Sequence, residues 1–156
     1  MSSDSSELHQ TLRKFGAPAS VIREYEHWSV LLRPAQATLG SLVLVARGTQ
    51  TEFSALPPAA FGELATVTAD LEHALHQAFD HDRLNYLMLM MVDPQVHFHV
   101  LPRYARSREF AGVTFADPGW PGPPELGHTT DTDEATRQTL FDALDGAWPR
   151  KTSPSG

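Results

Sequence analysis

Gln95-Val96-His97-Phe98-His99-Val100-Leu101-Pro102-Arg103-Tyr104 is the stretch on which the reading of this chain turns. Polar and apolar residues alternate through it, the period of a half-buried β-strand. Successive strand side chains point to opposite faces, so Gln95, His97, His99 and Leu101 share one face while Val96, Phe98 and Val100 enter the core. Strand rise sets alternate residues roughly 7 Å apart. Two imidazoles and an amide therefore line one surface, an arrangement that can present a nucleophile and hydrogen-bond donors to a small anionic group.

Upstream of this strand, Leu84 to Val92 reads as a strand buried on both faces, interrupted by Asp93-Pro94. Further back, Phe61, Leu64, Val67, Leu71, Leu75 and Phe79 recur at helical spacing between Pro58 and Phe79, and Pro58 suits a first helical turn. Ser41 to Ala46 is another buried-strand pattern, and Val21 to Arg33 reads as two short strands meeting near His27. A short helix is expected over Glu7 to Phe15, with Leu8, Leu12 and Phe15 on one side and Gly16 and Pro18 closing it. Downstream, Pro118, Pro121, Pro123 and Pro124 leave room only for short regular elements before a closing helix between Thr130 and Trp148. The polar, Ser-rich ends, 1–6 and 152–156, read as disordered tails. Strands that cluster without intervening helices imply an α+β fold with an antiparallel sheet, in a single domain over 7–156.

Composition narrows the function. A chain of 156 residues, 41% of them hydrophobic, suits one domain that buries roughly 70% of its unfolded surface. Its formal net charge of −7 repels a phosphate backbone at long range and argues against general nucleic-acid binding. Without cysteine there can be no disulfide, zinc finger or thiol catalysis. The amino terminus lacks a basic start and an apolar stretch, and the longest apolar run, Tyr86 to Val92, is too short to span a bilayer. A soluble, cytoplasmic protein without membrane attachment is expected.

Three readings compete for the histidine strand. One is an amphipathic strand whose polar face happens to be rich in histidine. A second is metal ligation, for which His-x-His is a familiar pair; it needs a third ligand, and Pro102, Arg103 and Tyr104 stand where a carboxylate would be wanted. The third is phosphoryl or nucleotidyl chemistry with a neutral imidazole as nucleophile. The reading requires a ring nitrogen of His97 open in a cleft.

Gln95-Val-His-Phe-His-Val-Leu-Pro-Arg103 resembles the signature of the histidine triad (HIT) family, His-φ-His-φ-His-φ-φ, with glutamine in the first position. Asp93-Pro94 and Pro102-Arg103 match its common flanks, and Leu39-Gly-Ser-Leu-Val-Leu-Val45 and Phe53 to Pro58 resemble segments upstream of it. The resemblance covers roughly 20–105 and leaves 106–156 as a C-terminal extension. It implies a five-stranded antiparallel sheet with one long helix packed on it, dimerised into a ten-stranded sheet. It also implies hydrolysis or transfer at the α-phosphate of AMP- or GMP-containing phosphoanhydrides or phosphoramidates. His97 would be the nucleophile and carry the nucleotidyl group, with its other ring nitrogen fixed on a backbone carbonyl. His99 would hold a non-bridging oxygen or assist proton transfer, and no metal or cofactor is required.

Departures from the family pattern mark the contacts expected to vary. Gln95 keeps a donor for a phosphate oxygen but cannot act as an acid. Ser41 stands where a phosphate-contacting histidine often sits, Arg33 where an Asn or Asp touches the ribose, and Met91 where an Asn faces the phosphates. Such losses admit a second reading, a nucleotide-binding or regulatory module that turns over poorly. Of the basic cluster Arg103, Arg106 and Arg108, Arg103 is the preferred phosphate contact, reached through a bend after Pro102. Trp120 is expected to pack, His27, His73, His76 and His128 to lie at the surface, and Met88, Met90 and Met91 to fill the core.

Overall fold

A computed structural model describes residues 9–149, so the tails expected at 1–6 and 152–156 lie outside the described residues. The strands are β1 (Val21–Glu24), β2 (Trp28–Leu32), β3 (Leu42–Ala46), β4 (Arg83–Leu87), β5 (His97–Arg103), β6 (Arg108–Phe110) and β7 (Val113–Phe115). The helices are α1 (Gln10–Lys14), α2 (Pro58–Phe79) and α3 (Glu134–Ala147). Five strands form one antiparallel sheet in the order β1-β2-β3-β5-β4, and β6 and β7 form a separate hairpin. The expected α+β fold with a long helix on a five-stranded antiparallel sheet is what the chain adopts.

Helix α2 presents Val67, Leu71, Ala74, Leu75 and Phe79 to the inner face of the sheet, where they meet Val30, Leu44, Val96 and Val100. Phe61, expected on that buried face, is 39% exposed and instead packs edge-on against Phe53, which in turn touches Phe98. The helix stops at Asp80, whose left-handed backbone places its amide on the carbonyls of Leu75 and His76. Helix α3 is capped by the Asp133 side chain on Thr136 N and buries Leu140 and Leu144 in the same core. Trp148 closes the extension, its Nε1 donating to the Tyr25 hydroxyl at 2.8 Å.

Strands β2 and β3 are buried at every position because the sheet is covered on both faces. Opposite α2, Phe15 packs with Leu31, Val43 and Val45, and Leu12 backs it. The short N-terminal helix thus does more than end the sheet: it roofs the face that carries the histidines.

The strand expected from Leu84 to Val92 ends at Leu87. Its segment lies at the sheet edge, Met90 has φ of 52°, and Leu89, Met91 and Val92 are exposed, Met91 to 83%. A left-handed residue at an edge breaks pairing, so the apolar run becomes a loop that is not core. Met88 and Met90 do pack on the core; Met91 does not.

Candidate active site

Strand β5 aligns Val45 of β3 with His97, and aligns Val43 of β3 and Leu87 of β4 with His99. His97 Nδ1 lies 2.8 Å from the carbonyl oxygen of Gln95. A carbonyl can only accept, so Nδ1 bears the proton and the lone pair of the neutral ring sits on Nε2. That is the protonation pattern a histidine nucleophile needs. The two imidazoles stand nearly perpendicular, 82° between planes and 5.2 Å between centroids. Phe15 lies over both, 6.1 Å from the His97 ring and 5.8 Å from the His99 ring.

The two histidines differ in electrostatics. Burial, then the Arg33 guanidinium, then His97 itself push His99 down from the ordinary imidazole value to about 4, against a smaller pull from Asp93. His99 is therefore neutral at pH 7, and its Nδ1 is buried without a hydrogen-bond partner.

Both rings line a cleft of about 240 Å³ whose other walls include Lys14, Phe15, Arg33, Asp93 and the 89–92 loop. His97 lies at its floor with only 2% of its surface exposed, so the ring is more covered than an open nucleophile would be. Lys14 Nζ is held by Asp93, at 2.8 Å to Oδ1 and 3.0 Å to Oδ2. Arg33 donates from Nη1 to Ala35 O, while its Nε is buried and unbonded. Among the described residues, no three His, Cys, Asp or Glu side chains converge to hold a metal ion.

The HIT domain family model matches residues 14–106, which is more than half of the chain and includes β1 to β5 and the whole cleft. The chain belongs to the HIT family. Solved HIT structures share its fold. A histidine triad protein from Sinorhizobium meliloti aligns with a TM-score of 0.69 at 21% identity, over 88% of this chain and 93% of the other. One from Marinobacter aquaeolei aligns with a TM-score of 0.70 at 23% identity, over 90% and 94%. A hypothetical histidine triad nucleotide-binding protein from Sulfolobus tokodaii gives 0.66 at 14% identity, over 91% and 90%. No curated protein sequence matches the chain.

Within this HIT domain the expected site residues separate. His97, His99 and Arg33 meet in the cleft together with Met91, which lines its mouth. Gln95 precedes β5, which begins at His97, and it does not line the cleft. Its side-chain oxygen accepts from Thr11 N at 3.1 Å and Thr11 Oγ1 at 2.7 Å, fastening α1 to this segment, while its main-chain carbonyl meets His97 Nδ1. Ser41 is fully buried, with its hydroxyl 2.8 Å from Thr38 O and bonded to Thr38 N, so it stabilises a turn and is turned away from the cleft.

Arg103 is also elsewhere. No bend follows Pro102; β5 continues straight through it, which leaves Arg103 on the histidine face but six residues and roughly 20 Å along from His97. There its Nε and Nη2 grip Asp117 at 2.7 and 3.0 Å, and Nη1 donates to Asn85. Trp120 lines a separate hollow with Arg83 and Arg103.

Sequence reasoning overlooked Lys14, Thr11 and His9. His9 Nε2 lies 2.7 Å from Ala46 O, so contacts from His9, Thr11 and Lys14 tie this N-terminal segment to β3, to Gln95 just before the histidine strand, and to Asp93. The one signal available was the amphipathic pattern of Leu12 and Phe15, which announces a buried face without saying what it covers.

Proposed function

We propose that this HIT protein is a nucleotidyl hydrolase or transferase acting at the α-phosphate of AMP- or GMP-containing phosphoanhydrides or phosphoramidates. The observation that carries the reading is the His97 Nδ1 to Gln95 O hydrogen bond, which leaves the Nε2 lone pair available in a cleft otherwise short of negative charge. In the first step Nε2 forms a bond to phosphorus and the bond to the leaving oxygen or nitrogen breaks, the leaving group keeping the electron pair and taking a proton from solvent water. The ring then carries positive charge, which the Gln95 carbonyl stabilises through Nδ1–H. In the second step water adds to phosphorus, the P–N bond breaks, its electron pair returns to Nε2, and the proton of the attacking water passes to solvent. Neutral His99 can hydrogen-bond a non-bridging oxygen, and Arg33 supplies fixed positive charge.

Release of AMP or GMP from a panel of dinucleoside polyphosphates and nucleoside phosphoramidates tests this: the wild type should act on at least one, and His97→Asn on none. A poorly turning-over nucleotide-binding module is the second reading, favoured by the 2% exposure of His97 beneath Phe15. Micromolar AMP binding by calorimetry with no hydrolysis across the panel selects it.

Among the described residues strand β4 pairs with β5 alone, which leaves its other edge to pair with β4 of a second copy into a ten-stranded sheet. We propose that homodimer; a monomeric mass by light scattering contradicts it. Among the described residues no helix is long and apolar enough to cross a membrane. With the cysteine-free composition compatible with a reducing compartment, a cytoplasmic setting is proposed.

A further inference from the structure

Two arginines on the histidine face of the sheet are treated in opposite ways. Arg103 is saturated: three of its nitrogens are bonded and Asp117 neutralises it. Arg33 has one short-range bond, from Nη1 to Ala35 O two residues away, and its Nε is shielded from solvent without a partner. Among the described residues no carboxylate forms an ion pair with Arg33. The cleft's own acid, Asp93, is already committed to Lys14. A partly buried guanidinium without a counter-ion is costly, and burial pulls the Arg33 guanidinium below its ordinary value.

Arg33 is nevertheless braced. Its amide donates to Ser41 O at 3.0 Å, and its carbonyl accepts from Gln36 Nε2 at 2.7 Å. Gln36 is fully buried, and its Oε1 takes Gly40 N at 2.8 Å. Gly40 has φ of +85°, and a Cβ there would approach the Phe79 ring to 2.7 Å, so the turn that anchors Arg33 is sterically fixed against α2. The sheet register gives its place along the cleft. Val45 and Val43 lie beside His97 and His99, and Leu31 pairs with Val43. Arg33 therefore stands one step beyond His99, its backbone roughly 13 Å along the strand direction from the level of His97. A long side chain from that level reaches the His99 end of the cleft, away from the reacting phosphorus.

We propose that Arg33 forms a second anion subsite, so that the preferred substrate carries an anionic group in addition to the phosphoryl group attacked by His97. This inference rests on the nucleotidyl reading above and specifies its substrate class: a nucleotide bearing a further phosphate, either on the sugar or continuing the phosphate chain. Unlike a hydroxyl-accepting carboxylate, a guanidinium only donates, and its strongest partner is an anion.

Calorimetry with AMP, ADP and adenosine 3′,5′-bisphosphate, and with the guanosine counterparts, tests the subsite on wild type, Arg33→Gln and Arg33→Lys. One doubly phosphorylated probe should bind the wild type at least tenfold more tightly than the monophosphate. That advantage should fall below threefold in Arg33→Gln and survive in part in Arg33→Lys. Preference for the 3′,5′-bisphosphate assigns the second anion to the sugar; preference for ADP assigns it to the phosphate chain. AMP and GMP bound by the wild type as tightly as both doubly charged probes, or an advantage that Arg33→Gln retains, overturns the subsite while leaving the His97 chemistry intact. Should Arg33→Gln fail to fold, the wild-type comparison alone decides. Binding of none of these nucleotides overturns the nucleotidyl reading itself, and the subsite with it.

Discussion

The main-chain carbonyl of Gln95 fixes the proton of His97: its oxygen lies 2.8 Å from Nδ1, two residues upstream of it and just before β5. The His97 tautomer is thus set by backbone geometry at the start of β5.

Gln95→Ala should therefore preserve the His97 tautomer while loosening the N-terminal helix. Removing the acceptor of Thr11 N and Thr11 Oγ1, both buried, should cost about 1–3 kcal/mol of stability. Nitrogen NMR of His97 should show protonated Nδ1 in both proteins; an Nε2–H tautomer in either contradicts the assignment.

Phe15 covers the His97 and His99 rings and is itself 7% exposed. Phe15→Ala should cost about 3–5 kcal/mol by chemical denaturation. It should also speed modification of His97 by diethylpyrocarbonate at least tenfold under conditions where the protein remains folded. An unchanged modification rate would show that Phe15 does not govern access.

His99, held near 4 by burial and by Arg33, should titrate well below the ordinary histidine range in the free protein. Its folded value lies below its unfolded value of about 6.5, so between the two the unfolded chain binds more protons. Stability should fall as pH drops from about 6.5 to about 4, and His99→Gln should flatten that slope. A bound phosphate favours the charged ring and should move the midpoint upward. Proton NMR titration of His99 with and without AMP measures both; a midpoint between 6 and 7 in the free protein contradicts the site's electrostatics.

Strands β2, β3 and β5 and most of α2 were legible from their apolar patterns, whereas the apolar run after Leu87 was not, and His97 and His99 were legible because strand parity puts them on one face. What escaped the sequence depended on where the strand starts and on who pairs with whom. Gln95 has the parity of the histidines but precedes β5, so Thr11 captures it. Arg103 has that parity too, but lies far along the strand beside Asp117, a partner fourteen residues downstream in a proline-rich loop that no periodic pattern locates. Ser41 opens a buried strand and its hydroxyl is satisfied locally by Thr38. The Phe15 roof required knowing that α1 folds back across β3, information that a five-residue helix does not carry in its own sequence.

The most direct test is to mix the protein with a labelled nucleotide substrate, quench within a turnover, and map any covalent adduct by mass spectrometry. A nucleotidyl group on His97, labile to acid and stable to alkali, and absent from His97→Asn, is the predicted result. Turnover that proceeds at the wild-type rate in His97→Asn, or a trapped adduct on a different residue, would contradict it.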